Sequence, residues 1–152
     1  MNNNIFHAVP LAPSQPQKAQ VIQALSACLA DRLNVSLPVM QNAILAREQL
    51  GGTVLTAGIA TPHAVVPAAV PVYVAISRLP QPILTWRDMN DQPIQLLITF
   101  VVPEHVNPTS PQVMQLKQFF RYLAQESFVE TLSQSSDEAA ALAVITHKLE
   151  EI

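Results

Sequence analysis

Glycine and cysteine are scarce in this chain, and each scarcity excludes a class of proteins. Three glycines occur among 152 residues, too few for a loop that wraps a phosphate group with backbone N–H groups. No Gly-x-Ser-x-Gly sequence occurs either, so the elbow that presents a nucleophilic serine is missing. Cys28 is the single cysteine, which excludes an intrachain disulfide and fits a reducing compartment. We therefore expect a cytoplasmic protein, with Cys28 on the apolar face of a helix.

Charge is sparse as well. Charged residues make up 12% of the chain and apolar residues 49%, which excludes a disordered chain. The eight lysines and arginines are scattered without a basic stripe, and this argues against a nucleic-acid partner. No apolar run reaches the roughly 18 residues that cross a membrane, and residues 1–4 lack the start of a signal peptide. We therefore expect no membrane insertion.

The four histidines do not form a metal-binding pattern. His7, His63, His105 and His147 follow one another at intervals of 56, 42 and 42 positions, whereas metal sites need clustered ligands at short spacing. We expect neither a metal nor another cofactor. His7 and His147 lie near the ends of the chain, where we expect surface residues.

Apolar residues at helical spacing predict helices in the first and last thirds of the chain. A helix over residues 16–33 follows a capping box at 14–17, and a second helix runs over 36–47. The last third contains a helix from Pro111, a short segment at 128–132 and a final helix after a second capping box at 135–138.

Three β-prone segments lie between these helices, over residues 53–60, 72–77 and 94–102. The third is almost continuously apolar, which is typical of a central strand covered on both faces, and Pro103 ends it. Loops are expected at Pro80, at Pro82 and over 88–91. Because helices flank the strands in sequence, we predict an α/β class, namely a three-layer α/β/α sandwich with a mixed central sheet, in one domain over residues 1–152.

His63 is the most informative candidate residue. Gly58 permits a backbone bend, Pro62 fixes the φ angle before the histidine, and Thr61 is driven toward an extended conformation by the proline that follows it. The stiff turn should hold one imidazole just past the end of a buried strand, where functional sites are often built. The alternative is that His63 is an ordinary loop residue.

The residues around His63 match a known signature. The pair Arg47-Glu48, then Thr53, Gly58, Ile59, Ala60, Pro62 and His63 match, without gaps, an Arg-Glu pair followed by Thr-Gly-Ile-Gly-x-Gly-Ile-Ala-Ile-Pro-His-Gly. Over roughly residues 9–147 the chain resembles the enzyme IIA domain of the phosphoenolpyruvate:sugar phosphotransferase system (PTS), of the fructose/mannitol/nitrogen-regulatory type. Looser likeness continues through the segments 72–79, 83–86, 91–94, 116–132 and 136–138.

The resemblance implies a phosphohistidine carrier, a component of a phosphotransferase. His63 would take a phosphoryl group from phospho-HPr or a paralogue of HPr, and would pass it to a separate IIB component. An imidazole is neutral at one nitrogen near pH 7, as a nucleophile must be. The match of Arg47 implies that its guanidinium binds the phosphoryl oxygens; otherwise Arg47 is a cation at a helix end. Glu48 is an accessory candidate or a solvated surface residue.

The sequence departs from the signature at positions that matter. Val54 and Thr56 replace two glycines, and Ala64 stands where the family commonly has a glycine after the histidine. Gln112 occupies the position of a second histidine that many members carry at the start of a long helix. Glutamine can form hydrogen bonds but carries no positive charge, so the transferring phosphoryl group should be less stabilised. His105 either substitutes in space or is an exposed loop histidine.

Two functions therefore stay open. The first is a freestanding phosphocarrier with His63 and Arg47 at its centre, and with Gln112 or His105 nearby. The second is a nitrogen-type regulatory protein that binds partners in a phosphorylation-dependent way, with weak or lost phosphotransfer. The segment 64–67 is either a docking rim for HPr or plain loop covering. The sequence identifies no sugar, and it permits an oligomer without requiring one.

Overall fold

The computed structural model describes residues 4–151, and a single sheet organises this part of the chain. Its strands are β1 Phe6–Ala8, β2 Ile59–Ala60, β3 His63–Val66, β4 Tyr73–Arg87 and β5 Pro93–Pro103. Its helices are α1 Lys18–Leu33, α2 Leu37–Glu48, α3 Pro111–Leu123, α4 Glu126–Ser133 and α5 Glu138–Leu149. None of the helices described is long and apolar enough to cross a membrane. The predicted domain also includes residues 1–3 and 152, which lie outside the described residues.

The sheet is mixed, as predicted. The spatial order is β1-β4-β5, and both β2 and β3 lie beside β5 on its far side. β4 and β5 are antiparallel, whereas the pairings of β1 with β4 and of β2 and β3 with β5 are parallel. β5 is therefore the central strand, which confirms the interpretation of its apolar run.

Two hydrophobic cores cover the two faces of the sheet. One contains buried residues of α1 and α2, including Leu25, Leu29 and Ile44. The other contains buried residues of α3, α4 and α5, including Phe119 and Leu132. Helices thus lie on both faces, and the predicted three-layer α/β/α sandwich is confirmed. Cys28 is partly buried against the first core, on the apolar face of α1 as expected.

Two predictions about the strands were wrong. Residues 53–60 do not form one strand, because Ala57 and Gly58 both adopt positive φ values, of 59° and 74°, and turn the chain. Strand β2 begins only at Ile59. The expected loop at Pro80 and Pro82 is instead part of β4, where the register against β5 shifts. Both prolines are exposed, in agreement with the rule that proline is tolerated at a strand irregularity.

The helix starts also differ in part from prediction. Ser36 and Ser110 cap α2 and α3 through their side chains, which satisfies N–H groups that lack a partner in the first turn. The capping box at 14–17 was wrong, since α1 begins at Lys18 and its N–H donates to Thr85 Oγ1 of β4 at 2.9 Å. In α5 the capping side chain is Asp137, which accepts from the N–H of Ala140 at 2.8 Å.

Candidate functional site

The backbone just before His63 is held by hydrogen bonds at two residues. Before it, the N–H and the hydroxyl of Thr61 both donate to the carbonyl of Thr53, at 2.6 and 3.1 Å. The carbonyl of Pro62 then accepts from the N–H of Phe100 at 2.9 Å. His63 is consequently the first residue of β3, opposite Phe100 of β5. It lies just past the end of the buried strand β2, as expected, and it is not a loop residue. Because β2 and β3 lie on either side of Thr61 and Pro62, the backbone position of His63 is fixed.

The turn before the site depends on a carboxylate that sequence reasoning missed. Asp88 Oδ2 accepts from the N–H of Gly58 at 2.7 Å, and its Oδ1 accepts from the N–H groups of Asn90 and Gln92. Burial alone raises the pKa of Asp88, but these three backbone donors outweigh it and the net pKa is lowered. The ionised carboxylate therefore ties the turn at Gly58 to the β4–β5 connection.

Two aromatic rings lie against the imidazole. The ring centroids of Phe100 and Phe120 are 5.2 and 6.2 Å from that of His63, both in edge-on arrangements. Nε2 of His63 is buried and has no hydrogen-bond partner among the described residues. The pKa of His63 is lowered, first by burial and then by the positive charge of Arg47, while the negative charge of Glu48 opposes the shift. The imidazole is accordingly neutral near pH 7, as a nucleophile must be, and its Nε2 is not occupied by a hydrogen bond.

Arg47 and Glu48 end α2, which packs against β3, but they occupy different surroundings. Arg47 is half-buried, and its guanidinium donates to the carbonyl of Gly51 at 3.1 Å. The Glu48 side chain is only 6% exposed, so it is not the solvated surface residue that the sequence left open. Its Oε2 accepts from Thr53 Oγ1 at 2.9 Å. Its Oε1 lies 3.0 Å from Lys18 Nζ, in an ion pair rather than a well-angled hydrogen bond.

Gln112 and His105 lie together, at a distance along the fold from His63. Both line a cavity of about 300 Å³ whose lining residues do not include His63. Phe120 of α3 lies against the imidazole, and it is eight positions and thus about 12 Å along the helix from Gln112. His105 is an exposed residue beyond the end of β5. The structure therefore brings Arg47 and Glu48 into the electrostatic surroundings of His63, and groups the other two candidates elsewhere.

Other residues singled out in the sequence take ordinary positions. In the segment 64–67, Ala64 and Val66 are fully buried in β3, so only Val65 and Pro67 present exposed side chains. His147 is exposed as expected, whereas His7 is half-buried in β1 and stacks on Tyr73 with centroids 4.1 Å apart. The described residues contain no cluster of three or more His, Cys, Asp or Glu side chains fit to hold a metal ion.

Comparison with solved structures defines the class of fold. The chain is similar to the nitrogen regulatory protein IIA-Ntr from Neisseria meningitidis, with a TM-score of 0.71, 22% identity, and coverage of 93% of this chain and 96% of that one. It is also similar to enzyme IIAMTL in a complex with phosphorylated enzyme IIBMTL from Escherichia coli, with a TM-score of 0.64, 19% identity, and coverage of 93% and 99%. The three-layer fold is that of PTS IIA proteins.

Sequence comparison gives the family. Residues 7–148 match the family described as phosphoenolpyruvate-dependent sugar phosphotransferase system, EIIA 2, and the chain belongs to it. The chain is also 27% identical over 128 residues to a nitrogen regulatory protein of Bradyrhizobium diazoefficiens, across 84% of this chain and 82% of that protein. The resemblance identified from the Arg-Glu and Pro-His residues is confirmed.

Proposed function

We propose that this protein is a phosphocarrier that accepts a phosphoryl group on His63 from phospho-HPr or a paralogue and passes it to a separate IIB component. One observation carries the proposal: a neutral imidazole with an unpartnered Nε2 lies within the electrostatic influence of the Arg47 guanidinium. A buried polar atom without a partner is costly, and a role as nucleophile accounts for it. We propose that this transfer of the phosphoryl group takes place in the cytoplasm.

The transfer requires one bond to form and one to break. The lone pair of Nε2 attacks phosphorus, the bond between phosphorus and the donor breaks, and the donor atom keeps the electron pair. The proton on Nδ1 stays in place throughout. The Arg47 guanidinium binds the phosphoryl oxygens in a charge-assisted contact. The same steps in reverse order, with IIB as acceptor, discharge the carrier, so the chain acts as a phosphotransferase component.

Access to Nε2 requires one neighbour to move. Phe120 is 41% exposed on α3, whereas Phe100 is buried in the central strand. An exposed side chain changes rotamer on the picosecond-to-nanosecond scale, far faster than protein association. Rotation of Phe120 is therefore the movement we assign to the opening of the site.

The regulatory alternative keeps a specific support. The relatives in sequence and structure include proteins named nitrogen regulatory proteins, from Bradyrhizobium and Neisseria. In that case the phosphoryl group on His63, with or without Gln112 and His105 in a secondary role, would change which protein the chain binds. The two functions differ in the fate of the phosphoryl group: it moves to a IIB protein in the first and stays on His63 in the second.

The test is the intact mass of the purified chain after incubation with phosphoenolpyruvate, enzyme I and HPr. We expect one acid-labile phosphoryl group on the wild type and none on His63→Ala. His147→Ala is the matched control, because it removes an exposed histidine that is not a candidate for the site, and this variant should label normally. Labelling of His63→Ala, or no labelling of the wild type, would overturn the proposal. Subsequent loss of the label to an added IIB protein distinguishes the carrier from the regulator.

A further inference from the structure

Glu48 creates an electrostatic problem at the proposed phosphoryl site. Its carboxylate is almost fully buried next to Arg47 in sequence, and both charges act on His63 in opposite directions. Left alone, the carboxylate would offset the guanidinium charge that the incoming phosphoryl oxygens need, and it would repel those oxygens itself. A buried charge also requires a partner to be stable. The proposed site therefore requires a second cationic group that neutralises the Glu48 carboxylate and leaves Arg47 in place.

Lys18 meets this requirement from a different element. Its Nζ lies 3.0 Å from Glu48 Oε1 and 5.0 Å from the centroid of the Trp86 ring. The position of Lys18 is also fixed by its backbone, because its N–H donates to Thr85 of β4. The ammonium group is thus held between an aromatic face and a buried carboxylate. A cation in such a place is attracted to both.

The same carboxylate is joined to the backbone that carries His63. Glu48 Oε2 accepts from the Thr53 hydroxyl, and the Thr53 carbonyl accepts two hydrogen bonds from Thr61. Thr61 is separated from His63 by Pro62 alone. A displacement of Glu48 would therefore act on the imidazole both through its charge and through this chain of hydrogen bonds.

We propose that Lys18 is a positioning residue of the His63 site, which neutralises Glu48 so that the charge of Arg47 is available to the phosphoryl group. The inference rests on the proposed phosphocarrier function and adds to it a residue that contacts neither His63 nor the phosphoryl group. Buried ion pairs are weak evidence for stability, so the role is distinguished by electrostatics rather than by the free energy of unfolding.

Four variants test the proposal, namely Lys18→Met, Lys18→Arg, Glu48→Gln and the double variant Lys18→Met/Glu48→Gln. Two quantities are measured: the pKa of His63 by NMR titration of its ring, and the initial rate of phosphorylation by phospho-HPr. Lys18→Met should raise the pKa of His63 and slow phosphorylation about tenfold, a size common for coupled neighbours in one charged network. Glu48→Gln should lower the pKa of His63. The double variant should recover most of the rate, and Lys18→Arg should retain it.

Lys148 provides a matched control. It pairs with Glu151 at 3.4 Å and lies 5.1 Å from the Tyr122 ring, so Lys148→Met removes the same kinds of contact in α5. This control variant should leave the pKa of His63 and the phosphorylation rate unchanged.

The role of Lys18 would be overturned if Lys18→Met had the same His63 pKa and phosphorylation rate as wild type. It would also be overturned if the effects of the two single substitutions on the rate simply added in the double variant. If Lys18→Met does not fold, the double variant and Glu48→Gln decide the question. The proposal requires these two variants to be phosphorylated at equal rates, because loss of Lys18 has no further effect once residue 48 is uncharged. Failure of the wild type to label refutes phosphotransfer itself, while the titration still tests Lys18.

Discussion

Replacement of Gly58 by alanine should destabilise the fold more than any other glycine substitution in the chain. Gly58 has a φ of +74°, and a Cβ built on it would lie 3.1 Å from the carbonyl oxygen of Pro93. The left-handed backbone alone costs about 1–2 kcal/mol for a residue with a side chain. Gly58 cannot move away freely, because its carbonyl accepts from the N–H groups of Gln95 and Leu96 at 2.8 and 3.1 Å. The crowding therefore adds to the backbone cost, and we expect a total loss of about 2–3 kcal/mol.

The other two glycines separate the two causes. A Cβ built on Gly52 would meet none of the described atoms within 4 Å, and Gly52 has no positive φ, so Gly52→Ala should be neutral or should stabilise by about 0.4–1 kcal/mol. Gly51 has open space but a φ of +132°, so Gly51→Ala should show backbone strain without crowding. Urea denaturation of the three variants gives the free energies of unfolding. If Gly58→Ala proved as stable as Gly52→Ala, the account of the turn before His63 would be wrong.

Three further predictions concern the surroundings of this turn. The pKa of His63 should lie below the ordinary value near 6.5. The folded chain then protonates His63 less readily than the unfolded chain does. The free energy of unfolding should therefore decrease as the pH drops below about 6.5, and His63→Gln should make this decrease smaller. Asp88→Asn should cost about 1–3 kcal/mol at pH 7, since an amide cannot accept all three backbone bonds. Because the pKa of Asp88 is lowered in the folded chain, the carboxylate stabilises the fold above its ordinary pKa near 4, and this stabilisation is lost in stronger acid. In strong acid, the wild type and Asp88→Asn should therefore approach the same free energy of unfolding. Phe120→Ala should raise the pKa of His63 and speed its phosphorylation, and an unchanged titration curve would show that Phe120 does not bury the imidazole.

The elements that the sequence predicted well are those whose signal is local. The apolar run predicted β5, and apolar residues at helical spacing predicted α1, α2, α3 and α5. These patterns act over a few residues. The short strands β1 and β3 have only three and four residues, and they exist because β4 and β5 offer them hydrogen-bond partners. Pairing of that kind depends on contacts distant in the chain, which a single sequence does not display.

Prediction failed where local preference and tertiary structure disagree. Residues 53–60 are β-prone, yet Ala57 adopts a left-handed conformation that alanine disfavours. The turn is maintained by Asp88, thirty positions away, through its bond to Gly58. Pro80 and Pro82 carry the usual signal of a loop, but β4 continues across them with a shift in register. In both cases a partner strand or a distant side chain decides the conformation.

The candidate site shows the same division. His63 and Arg47 belong to a signature in one stretch of sequence and could be proposed from it, and so could Glu48. Lys18 and Phe120 reach the same site from α1 and α3, and neither forms a motif with the others. Gln112 occupies the family position of a second histidine, but it lines a cavity together with His105 that His63 does not line. Counting along a helix predicts a position in sequence and does not predict which side chain faces the imidazole.

One cation serves two requirements of the proposed site at His63. A nucleophilic imidazole must be neutral, which burial and a nearby cation both favour. A phosphorylated imidazole carries negative charge on its oxygens, which the same cation stabilises. In the proposed transfer, Arg47 therefore favours the site before and after the phosphoryl group moves, whereas Glu48 opposes it in both states. Because Glu48 also supports the backbone through Thr53, its carboxylate cannot simply be dispensed with, and neutralisation by Lys18 preserves the support while it removes the electrostatic penalty.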